Sequence, residues 1–300
     1  MADGSLLVAD GEIDVPLGNP ARVATPAPGD ARLARLALNQ RTAAHASVPE
    51  VVDVCAQAGV PAIGLWREPV AEFGLQRTAA LVRESGLRVS SYCRGGFLTG
   101  ADWEHVRADN LRAIDEAAEL EAACLVMVVG GLPPGERDLR AVRSRVAERI
   151  GELVPHAASR GVKLALEPMH PMFCADRAVL STLDEALDIA APFPAAEVGV
   201  VVDTYHVWWD PRLFDSLARA GERIASFQVC DWIVPLPQDV LLGRGMMGDG
   251  HVDFRAIRAA VDAVGYAGDI EVEIFNADVW AAECRDIVRT VARRYVENVR

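Results

Sequence analysis

The sequence predicts an α/β protein folded as a (β/α)8 TIM barrel, and three observations predict it. Beyond the first thirty or so residues, one unit recurs eight times over roughly 270 residues, close to the ~250 typical of such barrels. Each unit is a short apolar run, a polar junction and a helical pattern. The apolar runs lack polar alternation, as strands of a parallel sheet covered by helices do. Finally, oxygen-bearing side chains stand at the ends of several runs, where a barrel gathers its chemistry. An open doubly wound sheet is the alternative that the same pattern leaves.

Residues 1–30 are rich in Gly, Pro, Ala and Asp without a stable period and read as a loose N-terminal arm; residues 31–300 read as the barrel. "LARLALNQ" is the first apolar run. The helix after it, "SVPEVVDVCAQAG", has Ser47 as cap, Pro49 in the first turn and Gly59 as stop. "PAIGLW" is second, with a helical segment ending at "RESG". "LRVSSYCRGG" is third, followed by "DWEHVRADNLRAIDEAAELEA"; "CLVMVVGG" is fourth, followed by "DLRAVRSRVAERIGELVPHAASRG". "VKLALEPM" and "TLDEALDIAAPF" form the fifth pair, and "VGVVVDTYH" and "PRLFDSLARAGER" the sixth. "IASFQVCDW" precedes a long loop and "DFRAIRAAVDAVG"; "GDIEVEIF" is eighth, before a closing helix.

Composition narrows the function. Apolar residues make up 51% of the chain, ample for a large core, and the net charge is −13. Nucleic acid is a poor partner for so acidic a chain, because phosphate binding needs clustered Lys and Arg; an acidic membrane surface is disfavoured for the same reason. The N-terminus lacks the basic region and apolar run of a signal peptide, and no apolar stretch is long enough to span a bilayer. Six scattered cysteines without a CxxC pair fit buried free thiols in a reducing compartment. The expected location is the cytoplasm, and the expected partner a small molecule.

The second half carries the chemistry. The fifth run ends at Glu167, the sixth at Asp203; the seventh carries Gln228 and Asp231, and the eighth carries Glu271 and Glu273. A lone carboxylate at a strand end is often a helix cap. Several together repel and raise one another's pKa unless a cation sits between them. The expected ligands of a divalent metal are Glu167, Asp203, Gln228 and Glu273. An all-oxygen set favours Mn²⁺ or Mg²⁺ over zinc. Glu271 points into the barrel lower down, as a layer residue.

In this order, "LALEPMHP", "VVDTYH", "SFQVCDW", "GDGHVDF" and "EVEIF" resemble the sugar phosphate isomerase/epimerase family, the xylose isomerase-like TIM barrels. The resemblance runs from about residue 33 to the end. It implies Glu, Asp, His or Gln, and Glu ligands on strands five to eight, matched here by Glu167, Asp203, Gln228 and Glu273. Many members have His where this chain has Gln228. The resemblance also implies proton abstraction next to a carbonyl through an enediolate, with Glu167 and Glu273 as base and acid. Relatives include ketose 3-epimerases, hydroxypyruvate isomerases, inosose dehydratases and endonuclease IV. The implied substrate is a sugar, keto-sugar or related polyol.

Other residues extend the expected site. His206, read as part of a mouth loop, either contacts a substrate hydroxyl, shuttles a proton or bonds to backbone; His170 has the same alternatives as a second acid/base. Arg244 is placed by the resemblance against a substrate hydroxyl or phosphate. It lies in a GxGxxG string without the strand-to-helix context of a dinucleotide site, so no nucleotide cofactor is expected and the segment reads as a flexible lid. Asn39, Trp66 and Arg94 near the first three strand ends, Asp231 on the seventh and Trp208 at the rim complete the candidate substrate contacts. Trp208 and Trp209 suit an apolar part of a substrate or a subunit contact, so a homodimer fits as well. A lyase or dehydratase on a keto-sugar, such as one that cleaves a C-glycoside, uses the same first step. An endonuclease would want more metal-binding histidines and a basic groove.

Overall fold

A computed structural model of the chain describes residues 23–300. Most of the expected N-terminal arm, residues 1–22, lies outside the described residues.

The strands are β1 Leu36–Asn39, β2 Ala62–Trp66, β3 Arg88–Gly96, β4 Leu125–Val128, β5 Leu164–Leu166, β6 Val198–Asp203 and β7 Ile224–Val229. A two-residue pair, β8 Asp231–Trp232 and β9 Arg244–Gly245, precedes β10 Ile270–Val272. Eight of them close a parallel barrel in the order β1-β10-β7-β6-β5-β4-β3-β2, while β8 and β9 pair antiparallel beside it. Each barrel strand is followed by a helix: Val48–Ala58, Leu75–Ser85, Trp103–Glu119, Leu139–Ser159, Leu183–Ala190, Leu213–Ala220, Phe254–Ala263 and Cys284–Arg294. The closed sheet settles the choice against an open doubly wound one.

Local chemistry explains the units. In helix Val48–Ala58 the Ser47 Oγ accepts the Glu50 amide at 3.4 Å, and Pro49 needs no donor there. Gly59 then turns the chain with φ +73°. A Cβ on it would stand 2.8 Å from Pro28 Cα, so the close approach of the incoming segment also requires glycine. The apolar strand residues pack outward on the helices in one large core; Cys93, Val126 and Ala165, register partners across β3, β4 and β5, belong to a smaller cluster filling the barrel interior.

Register positions the polar residues. Asp203 on β6 pairs with Gln228 on β7, and Gln228 pairs with Glu271 on β10. Register partners share a face, so these three side chains form one inward row. Glu273 follows two residues past Glu271, beyond the C-terminal end of β10, and Glu167 stands at the same end of β5. Among the described residues, no helix is long and apolar enough to cross a membrane.

Candidate active site

A cavity of about 480 Å³ opens at the strand ends. Its walls include Glu167, Glu273, Arg244, His206, Trp66 and Arg94. Another, of about 440 Å³, lies between helices Val48–Ala58 and Cys284–Arg294 and has no strand-end carboxylate in its lining. The strand-end residues expected to carry the chemistry line the first.

Arg244 is the centre of the site. Nη1 lies 2.8 Å from Asp203 Oδ2 and 3.1 Å from Glu273 Oε2, and the side chain is only 2% exposed. Tyr205 and Phe275 cover its guanidinium, with ring centroids 4.8 and 5.2 Å from Cζ. Burial works against its charge, but the carboxyls of Asp203, Glu273 and Glu167 outweigh it and hold the proton firmly. The segment expected as a flexible lid is therefore held. It returns as β9, pairs with β8, and is tied by Asp231, which accepts the Gly248 amide at 2.9 Å and the Val252 amide at 3.0 Å.

One guanidinium does not satisfy three carboxyls. Glu167 is buried, and its carboxyl has no hydrogen bond or ion pair among the described residues. Burial, reinforced by Asp203, pushes its pKa up to about 8. Glu273 is raised well above the usual range, first by burial and then by Glu167, Asp203 and Glu271 against the opposing pull of Arg244. Burial also raises Asp203, opposed by Arg244 and the Tyr205 amide. Gln228 donates Nε2 to Glu271 Oε1 at 3.3 Å, which leaves its buried Oε1 without a partner. Of the expected ligands, Glu167 and Asp203 are brought close enough to share a cation, whereas Glu273 is paired with Arg244 and stands outside that group.

His206 is not in a loop. It sits in the short helix Thr204–Val207 and is wholly buried. Single donor atoms of Glu167, Asp203 and His206 lie within 4.8 Å of one another, a spacing that could hold a metal ion. The ring, however, accepts the His170 amide on Nδ1 at 3.2 Å. A neutral imidazole that accepts on Nδ1 carries its proton on Nε2. Burial first, and Arg244 second, keep His206 neutral by lowering its pKa well below the ordinary value. Nε2 lies 3.6 Å from Asp203 Oδ2 and 3.1 Å from Arg244 Nη2; the guanidinium can only donate, so the His170 amide and Arg244 compete for the one lone pair of the neutral ring.

The remaining candidates divide. Trp66 and Arg94 line the cavity. Asn39 does not: its Nδ2 donates to Glu271 Oε1 at 2.6 Å, and its Oδ1 accepts from Trp66 Nε1 at 2.8 Å and the Arg41 amide at 3.0 Å. Asp231 is likewise spent on backbone amides. His170 is half-buried, caps the turn Pro171–Phe173 through Nδ1, and packs on Trp232 and Trp209 rather than on the cavity. The rim tryptophans are half-buried too: Trp208 packs on Trp232, and Trp209 Nε1 donates to the His206 carbonyl at 2.7 Å. Sequence reasoning missed Arg41 and Arg177, which also line the cavity. Arg41, directly after "LALNQ", had a signal in its place beyond a strand end; Arg177 had none.

The sequence model of the family described as xylose isomerase-like TIM barrel matches residues 52–293. A solved protein from Sinorhizobium meliloti 1021 is 45% identical, with a TM-score of 0.86 over 89% of this chain and 98% of that one. Three characterised enzymes are more distantly similar. The 3-dehydroshikimate dehydratase of Pseudomonas aeruginosa is 30% identical over 147 residues, 47% of this chain and 22% of that protein. The inosose isomerase of Bacillus subtilis is 24% identical over 166 residues, 53% and 56% of the two chains. The ketose 3-epimerase of Arthrobacter globiformis is 24% identical over 220 residues, 72% and 70%. The matched region thus spans 22% of the dehydratase and 56% of the isomerase.

Proposed function

The chain belongs to the xylose isomerase-like TIM barrel family, and from that premise we propose that it is a divalent-metal-dependent isomerase or epimerase of a sugar, keto-sugar or related polyol. The observation that carries the reading is Glu167, a buried carboxyl on the cavity wall without a hydrogen-bond or ion-pair partner among the described residues. A carboxyl left open to the cavity is placed to take a proton from carbon and give it back. Glu273 lines the same cavity and its pKa is raised, which makes it the complementary acid. Arg244 and His206 line the same cavity, where the guanidinium is placed to meet a substrate oxygen on which negative charge develops. The cavity has the size of a small-molecule site, typically ~300–1,000 Å³.

A divalent cation, Mn²⁺ or Mg²⁺, held by Glu167, Asp203 and Gln228 would supply the Lewis acidity that polarises the substrate carbonyl. The chain's own part is to orient those oxygens. Asp203 is fixed by the Tyr205 amide at 2.9 Å, and Gln228 is turned by Glu271 so that its oxygen stays free.

The test is proton exchange. Ketoses and inososes incubated with the Mn²⁺-loaded protein in deuterated water gain deuterium next to the carbonyl. Glu167→Gln slows that gain by about 10²- to 10⁴-fold with the fold intact; undiminished exchange in the variant removes Glu167 from the chemistry. Chelation abolishes exchange and Mn²⁺ restores it. A second reading, elimination of a β-leaving group after the same proton loss, draws on the 30% identity to the dehydratase. It is separated by looking for an unsaturated product in place of an epimer.

A further inference from the structure

Four arginines line the cavity: Arg41, Arg94, Arg177 and Arg244. Three have a carboxylate partner. Arg41 Nη2 is 3.3 Å from Glu68, Arg177 Nε is 3.7 Å from Asp176, and Arg244 lies between Asp203 and Glu273. Arg94 has neither a hydrogen bond nor an ion pair among the described residues. Two rings hold it instead, with Cζ 4.5 Å from the Phe97 centroid and 5.9 Å from that of Trp66. Trp66 is itself anchored by Asn39. Aromatic faces grip a guanidinium without using its N–H groups, so the donor fork of Arg94 remains unspent.

That arrangement has a cost. Arg94 is half-buried, and loss of hydration weakens its hold on the proton. Glu68, already paired with Arg41, and Glu167 act on it from a distance, but among the described residues no carboxylate lies within ion-pair distance of Arg94. Arg177, which follows the turn Pro171–Phe173, is near enough for its charge to act on Arg94, and its buried Nε lacks a hydrogen-bond acceptor. Partly buried cations side by side on a cavity wall are stabilised only when an anion joins them.

We propose that Arg94, with Arg177 beside it, forms an anion subsite on the β3 side of the cavity, and that the substrate is a keto-sugar carrying a carboxylate or phosphate group. The substrate class rests on the isomerase reading above; the subsite does not. A planar guanidinium fork matches either anion with two parallel hydrogen bonds, while the carbonyl end of the molecule reaches Glu167 and Glu273 on the same walls.

Calorimetric binding of D-fructose, D-fructose 6-phosphate and D-fructuronate to the wild-type protein tests this. At least one anionic ketose binds tighter than D-fructose by about 10- to 100-fold, the worth of a charge-assisted pair. The phosphate and uronate arms tell which anion is meant. Arg94→Met brings the preferred anion down to the level of D-fructose, Arg94→Lys recovers part of the difference, and Arg177→Gln loses a smaller part. Near-UV circular dichroism reports whether each variant is folded; if Arg94→Met is not, the graded loss in Arg94→Lys and the shrinking of the wild-type preference with added salt carry the test. Equal binding of neutral and anionic ketoses, no binding of either anion, or a preference intact in the Arg94 variants overturns the proposal. The same titrations on Glu167→Gln keep the anion preference. A protein that prefers the anion but exchanges no ketose proton keeps the subsite and loses the isomerase reading.

Discussion

Glu271 and Glu273 stand two residues apart at the same end of the barrel, and both are buried. Their surroundings differ. Glu271 is knotted by neutral donors: Oε1 accepts from Asn39 at 2.6 Å, Ser91 at 2.9 Å and Gln228 at 3.3 Å, and Oε2 accepts from Ser90 at 2.5 Å. Burial raises its pKa, and those hydrogen bonds pull it back. Glu273 has one cationic partner, Arg244, which it shares with Asp203, and it lines the cavity beside the unpartnered Glu167. Burial of a carboxyl therefore does not mark chemistry by itself. Glu271 has its oxygens spent on holding four strands in register, whereas the Glu273–Glu167 layer is left short of partners, and that shortage is what a cation and a substrate can fill.

If the upper layer is chemical and the lower one structural, removing charge from each has different consequences. Glu273→Gln keeps the shape and loses the acid. Turnover falls by about 10²- to 10⁴-fold, while the unfolding midpoint moves little. A steady-state assay with matched thermal melts reads both. A Glu273→Gln protein that turns over at the wild-type rate removes the distinction between the layers.

Much of this division was legible in the sequence. Eight units, their caps at Ser47 and Gly59 and the strand ends at Glu167, Asp203, Gln228 and Glu273 follow from local pattern, because periodicity and capping are local physics. Glu271 was legible as a lower layer from two-residue alternation alone. Arg244 was not legible from the residues themselves. Its inward position depends on β9 pairing back to β8 across an intervening loop, and on Asp231 tying that loop down. No local period encodes such a return. His206 was misplaced for a similar reason: Asp203 caps a single turn of helix through the Tyr205 amide, too short to leave a repeat, and that turn carries the imidazole under Arg244. Asn39 and Trp208 look like mouth residues in one dimension. Their partners, Glu271 and Trp232, come from distant parts of the chain.

The lower layer offers the smaller effects, in stability. Glu271→Ala strands the donors of Asn39, Ser90, Ser91 and Gln228 in the interior. Hydroxyls can rotate to other acceptors, so the loss is about 2–4 kcal/mol rather than the sum of four broken bonds. Urea unfolding measures it, and an unchanged midpoint means that the knot does not hold the sheet.

Smaller still is Gly64→Ala on β2. A Cβ there would stand 2.5 Å from Glu271 Oε1, so the glycine makes the space that the buried carboxyl fills. Overpacking of this kind costs about 1–3 kcal/mol. Because the clash is with the Glu271 side chain and not with backbone, it disappears when that side chain is cut back. The double variant Gly64→Ala, Glu271→Ala therefore loses less than the two single losses added, by about 1 kcal/mol. Strict additivity would mean that Gly64 serves only the β2 backbone and that Glu271 is seated without it. Non-additivity ties the missing Cβ on β2 to the knot on β10, and through Gln228 to the oxygen that the knot leaves free for the layer above.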